Sequence, residues 1–157
     1  MFVVEKILCP TDFSGPAAQA LETAVALAEK FSAELVVVHV IAPPVSLGGA
    51  DAAIGVAAAG VRMPMIMPEL EPRAREAIRK LVAERIPAHL ACRSHILFGR
   101  AAEEISGLAD REGADLIVMA THGQSGWGKV LFGSVAERVV RLAECPVLTV
   151  KPPKDRS

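Results

Sequence analysis

Residues Asp115 to Val139 read DLIVMATHGQSGWGKVLFGSVAERV. The stretch opens on five apolar residues, Leu116 to Ala120, breaks into a loop holding Gly123, Gly126, Gly128 and Gly133, and closes in an amphipathic pattern that starts near Ser134. A buried strand, a glycine-rich loop and a helix start together form a common way of holding phosphate. Glycines let the backbone approach a ligand closely, and the first amides of a helix have no partner within it. Ser134 is expected to add a hydroxyl at the N-cap.

Two familiar phosphate motifs do not fit this loop. A P-loop, G-x-x-x-x-G-K-[S/T], finds its glycines and lysine in Gly123 to Lys129, but Val130 stands where a hydroxyl should hold magnesium. A Rossmann G-x-G-x-x-G fails because Gly126 and Gly128 are followed by Leu131 and not by a third glycine. Glycines alone would favour a flexible turn. Ala120-Thr121-His122-Gly123, nine residues, then Gly133-Ser134 is more specific. It resembles the G-x2-G-x9-G-[S/T] signature of the ATP-binding type of universal stress proteins, with Ala120 in place of the first glycine.

The rest of the chain supplies alternating elements. Val3 to Cys9 reads as a strand, broken by Pro10 to Ser14. Ser14 or Asp12 can cap the following helix, whose first turn contains Pro16. Ala17, Leu21, Ala24, Val25, Ala28 and Phe31 give that helix one buried stripe. Leu35 to Ile41 is continuously apolar apart from His39, as in a strand covered on both faces. His39 itself reads as a hydrogen-bonded core residue. Ala42 to Pro68 is a long excursion rich in Pro, Gly, Ala and Met, with a short helix expected around Asp51 to Ala59. A lid or subunit contact using Met63, Met65, Ile66 and Met67 is the functional alternative there.

A second helix is expected over Glu69 to Ile86, with a buried stripe of Leu70, Ala74, Ala77, Ile78, Leu81 and Val82 and with Pro87 ending it. Cys92 to Phe98 alternates like a strand nearer the sheet edge. Ala102, Ile105, Leu108 and Ala109 mark a third helix, stopped by Gly113. Leu116 to Ala120 is the fourth strand, Val135, Val139, Leu142 and Ala143 mark the fourth helix, and Val147 to Val150 is the last strand. Strict β-α alternation of this kind predicts a parallel sheet with helices on both faces, in one α/β domain over residues 1–152 and a frayed tail over 153–157. Ligands of such sheets bind beyond the carboxyl ends of the strands, where strand order reverses.

With KILCPTDFS, VVVHVI, EGADLIVMATHG, GSVAERVV and CPVLTVK, the resemblance to the universal stress protein family spans most of the chain. It implies an open five-stranded parallel sheet in the order 3-2-1-4-5. It implies that Asp12 and the backbone of Val40 recognise adenine, that Pro10, Thr11, Met119 and Ala120 line the adenosine pocket, and that Gly123, Gly133, Ser134 and Val135 hold the phosphates of ATP. Chemistry agrees: the Asp12 carboxylate accepts from an amine or a ribose hydroxyl and is misplaced beside phosphate, whereas helix-start amides suit an anion. Lys129 reads as a solvated loop lysine, His122 as a residue holding the loop by a hydrogen bond, and Trp127 as exposed or at a subunit contact. The resemblance also implies a homodimer through antiparallel pairing of Val147 to Val150.

Composition bounds the function. The 157 residues carry a formal net charge of −1, which gives no electrostatic case for nucleic acid or an anionic membrane. Cys9, Cys92 and Cys145 have no metal-ligand spacing and read as inert thiols of a reducing cytoplasm. The N-terminal run holds an acid and a base, unlike a signal peptide, and the Ala-rich run from Ala52 to Val61 is shorter than the roughly 20 apolar residues a membrane span needs. No nucleophile with its base and no carboxylate pair stands out, so a regulatory ATP-binding protein with at most slow hydrolysis is expected, any magnesium being held mainly by phosphates and water. A nucleotide phosphotransferase or hydrolase, and a nucleotide-free interaction module, are the alternatives.

Overall fold

The computed structural model describes residues 3–42, 63–122 and 132–151. Five strands alternate with four helices: β1 (Lys6–Pro10), α1 (Gly15–Phe31), β2 (Glu34–Ile41), α2 (Met63–Arg85), β3 (Cys92–Phe98), α3 (Ala101–Glu112), β4 (Leu116–Ala120), α4 (Ser134–Leu142) and β5 (Val147–Val150). All pairings are parallel, and the order across the sheet is β3-β2-β1-β4-β5. The expected α/β architecture and strand order are both present.

Period-two alternation divides the core between the two faces of the sheet. Ile7, Cys9, Leu35, Val37 and Val118 face one side, under Leu21, Ala24, Val25 and Ala28 of α1 and Ile78 of α2. Leu8, Val36, Val38, Ile117 and Met119 face the other, under Ala102, Ile105, Leu108 and Ala109 of α3 and Ala136 and Val139 of α4. The central strands are therefore apolar at successive positions because each face has its own helix layer.

Local chemistry sets the ends of the helices. The Ser14 hydroxyl is the N-cap of α1 and accepts from the Ala17 amide at 3.3 Å, with a proline in the first turn. Asp12 stands outside the cap. Gly113 ends α3 at φ 64°, a left-handed conformation that suits glycine.

Two element starts and the burial of two residues differ from the sequence reading. β1 begins at Lys6 and not at Val3, which is 55% exposed. Phe31 and Leu70 are exposed, because the sheet-covering stripe of α1 ends at Ala28 and that of α2 begins at Ala74. α2 starts at Met63, six residues before the expected Glu69. Pro64 lies in the first turn, where no amide is needed, and the missing donors at Pro68 and Pro72 cost two bonds without ending the helix. The short helix expected near Asp51 to Ala59 and the tail at 153–157 lie outside the described residues, as do the side chains of Met63, Met65, Ile66 and Met67.

At the amino ends of the strands, one ion-pair network joins three strands and a helix. Arg93 on β3 bonds Glu34 on β2 through Nε and reaches Glu112 of α3 at 2.7 Å, while Lys6 on β1 donates to the Glu112 carbonyl at 2.7 Å. The Arg93 hydrogen bond holds the Glu34 carboxyl below its usual range, against a desolvation that acts the other way. A depressed carboxyl stabilises the fold above its unfolded pKa, and that contribution is lost as pH falls through the folded value. Arg93→Ala should therefore lower stability at neutral pH and reduce its further fall between about pH 5 and about pH 3, read as urea midpoints across that range. Leu35, fully buried between two neighbouring strands, tests the core: Leu35→Ala should cost roughly 2–5 kcal/mol in the same unfolding experiment.

Candidate functional site

The site begins where β1 and β4 part. Their pairing lasts two registered pairs, Ile7 with Leu116 and Leu8 with Ile117. Beyond these, β1 stays with β2 as far as Pro10 opposite Val38, and β4 stays with β5 as far as Ala120 opposite Val150. A cleft of about 470 Å³ opens between them at the carboxyl ends of the strands. Strand order reverses at this point, the usual ligand position in such sheets.

Pro10, Thr11, Asp12, Val40, Met119, Ala120, Gly133, Ser134 and Val135 all line this one cleft. The loops after β1 and β4, distant in sequence, meet as expected for neighbouring strands. Gly123, Ser125, Trp127 and Lys129 lie outside the described residues, together with Gly126 and Gly128.

On the β1 side, a compact turn follows the strand. The Ser14 amide donates to Asp12 Oδ1 at 3.0 Å and the Phe13 amide to Thr11 Oγ1 at 3.0 Å. His39 Nδ1 lies 2.8 Å from the Thr11 carbonyl, and its ring stacks against Phe13 with centroids 4.6 Å apart. His39 is hydrogen-bonded, as its place in a buried strand suggested, but it also lines the cleft.

Val40 presents its backbone to the same space. On β2 the Glu34 amide and the Val38 carbonyl bond toward β1, whereas the Leu35 amide and the Ile41 carbonyl bond toward β3. Residues in even positions therefore turn their peptide groups to the β1 side. Val40 does so two residues beyond the last β1 partner, and no described residue is bonded to its N–H or C=O.

On the β4 side, Gly133 and not Ser134 is the N-cap of α4, and it has no side-chain cap bond. The reason is the Gly133 amide, which donates to the Thr121 carbonyl at 2.7 Å and fixes that residue just ahead of the first turn. Gly133 therefore shapes the cradle without offering its own donor. The first bond of α4 runs from Glu137 to Gly133, so the amides of Ser134, Val135 and Ala136 precede the helical ladder. These three amides, at the positive end of the helix dipole, fit an anion. Val135 and Leu142 point their side chains outward, at 39% and 43% exposure, and Ala136 and Val139 supply the buried stripe.

Further residues line the cleft. Ala101 and Ile105 come from the start of α3, and Thr121 and His122 from the end of β4. Alanine and isoleucine in a helix read only as core, and nothing local in the sequence says that one end of α3 roofs the site. His122 Nδ1 lies 2.9 Å from Oγ1 of its chain neighbour Thr121. Thr121 is fully buried, so this pair exposes no hydroxyl nucleophile. Burial also pushes the Cys9 thiol, just before the turn, up to about 12, which keeps it out of thiolate chemistry. Among the described residues no group of His, Cys, Asp and Glu is placed to hold a metal ion, and no helix is long and apolar enough to cross a membrane.

The cradle has a direct test. A Cβ added at Gly133 would lie 3.1 Å from the Thr121 carbonyl oxygen, a backbone atom with little freedom to move. Gly133→Ala should destabilise the protein by about 1–3 kcal/mol, seen as a lowered melting temperature.

Comparison with known proteins bears on the family and the fold. The sequence pattern of the universal stress protein family matches residues 4–151. Universal stress protein MJ0531 of Methanocaldococcus jannaschii is 35% identical over 150 residues, which cover 96% of this chain and 84% of that protein. The solved structure of MJ0577, from the same organism, is similar with a TM-score of 0.81 at 28% identity, covering 98% of this chain and 99% of the other. The crystal structure of a universal stress protein in complex with cAMP shares the fold with a TM-score of 0.62 at 23% identity, covering 95% and 98% of the two chains.

Proposed function

The chain belongs to the universal stress protein family, and from that premise we propose that it is a cytoplasmic regulatory protein that binds ATP or another adenine nucleotide. One observation carries the reading. A single cleft gathers Asp12 and the open Val40 peptide at one end and, at the other, the first amides of α4, which no described residue takes. An adenylate has the matching polarity. Its base pairs with a peptide edge and a carboxylate, and its phosphates take amides and a helix dipole.

In this role the Val40 peptide and Asp12 hold the base and ribose, Pro10, Thr11, Met119 and Ala120 enclose the adenosine, and Ser134 and Val135 donate to phosphate. Gly133 and Gly123 let the chain pass close to it. When bound, the nucleotide supplies the charge that selects the α4 end, and magnesium accompanies it through phosphate oxygens and water. A fold neighbour in complex with cAMP supports an adenylate as the ligand class. With no exposed nucleophile and base paired among the described cleft residues, the protein acts chiefly by binding, with at most slow hydrolysis.

The reading includes a homodimer through β5. That strand closes one side of the sheet, and its Leu148 is 39% exposed, with Val140 and Leu142 of α4 also open to solvent. Self-pairing would remove an edge that otherwise invites aggregation. Sedimentation at micromolar concentration should give a dimer, and a monomer alone would remove this part of the proposal.

Thermal melting with nucleotide tests the central claim. ATP at 100 times its dissociation constant should add about 2.7 kcal/mol, a shift of several degrees at this size. Melting curves unmoved by ATP, ADP and AMP alike would overturn it.

A further inference from the structure

In a parallel ladder, a residue donates to the carbonyl just before its partner and accepts from the amide just after it. β2 follows this pattern against β1. Glu34, opposite Lys6, donates to the Glu5 carbonyl at 2.8 Å, and Val38, opposite Pro10, accepts from the Thr11 amide at 2.8 Å. Carried one step further, Val40 would stand opposite Asp12, donating to the Thr11 carbonyl and accepting from the Phe13 amide.

Both of those groups are engaged elsewhere. The Thr11 carbonyl is taken by His39 Nδ1 at 2.8 Å, and since a carbonyl only accepts, the ring nitrogen is the donor. The Phe13 amide is taken by the hydroxyl of Thr11 at 3.0 Å. Phe13 also sits at φ 63°, which turns the chain off the strand path, and its ring lies against the same imidazole. His39 and the Thr11 hydroxyl thus stop the β1–β2 ladder two residue pairs short of Val40.

We propose that His39 is a positioning residue that keeps the Val40 peptide open for the base of the ligand, by holding the Thr11 carbonyl away from it. The Thr11 hydroxyl does the same for the Phe13 amide. The ligand class follows from what is left open. One N–H and one C=O on the same strand edge match a flat heterocycle with a ring acceptor next to an exocyclic amine, as in a 6-aminopurine. This role presupposes the adenylate reading of the cleft.

Amide exchange at Val40 and calorimetric AMP affinity, measured on the full-length wild type, His39→Val and His39→Asn, test it. The Val40 amide should exchange freely in ligand-free wild type and in His39→Asn, whose side-chain amide can still donate to Thr11. In His39→Val it should become protected as the ladder closes, and AMP affinity should fall about tenfold, a loss that His39→Asn largely restores. If His39→Val does not fold, His39→Leu, close to the imidazole in size and without a donor, carries the same two readouts. Unchanged exchange at Val40, or equal AMP affinity in all variants, would overturn the role of His39. If the wild type takes no AMP, the adenylate reading falls and the ligand half of this role falls with it. The exchange at Val40 then still decides whether His39 holds the ladder open.

Discussion

The site depends on β1 and β4 being neighbours at one end of the sheet only. At the amino end they are clasped. The Asp115 carboxylate accepts from the amides of Glu5 and Lys6 at 2.9 and 3.0 Å, and the Asp115 amide donates to the Lys6 carbonyl at 2.9 Å. Beyond Leu8 and Ile117 the two strands part and each keeps only its other neighbour, β2 for β1 and β5 for β4, as the twist of a parallel sheet favours at a point of reversed order. The gap between them has a backbone edge on one side and a helix start on the other. Their polar groups are left for a ligand or for solvent because no strand remains to take them.

The clasp is reinforced from below. Lys6, Glu34, Arg93 and Glu112 tie the starts of β1, β2 and β3 to the last turn of α3. Exposed ion pairs contribute little singly, and a network that shares its partners gains more from fixed geometry than from Coulomb energy. Its position matters more than its strength: it fixes the end of the sheet away from the cleft, so the parting of the strands is built into the fold.

Much of this was legible in the sequence, wherever one local rule dominated. The unbroken apolar run of β2 gave a doubly covered strand, Gly113 gave a helix stop, and the turn after β1 and the Gly133-Ser134 corner gave the two sides of the cleft. The errors occurred where tertiary contact overrides local pattern. Phe31 and Leu70 fit the helical period but lie beyond the sheet that would cover them. The excursion expected as far as Pro68 gives way at Met63 to a helix that runs through Pro64 and Pro68. Ser134 has the chemistry of an N-cap, yet a bond from Gly133 to a distant carbonyl sets the cap one residue earlier. His39 was read correctly as hydrogen-bonded. Its partner, a carbonyl in the turn after β1, was not legible because register is a property of two segments together.

That bond between Gly133 and Thr121 has a consequence for variation. It ties together the two ends of the intervening chain with a single 2.7 Å contact. Closing a loop at its base makes the entropy of ordering depend only weakly on what lies between. The start of α4 therefore stays in register with β4 through a contact between two main-chain atoms, which no side-chain exchange in the intervening residues removes directly.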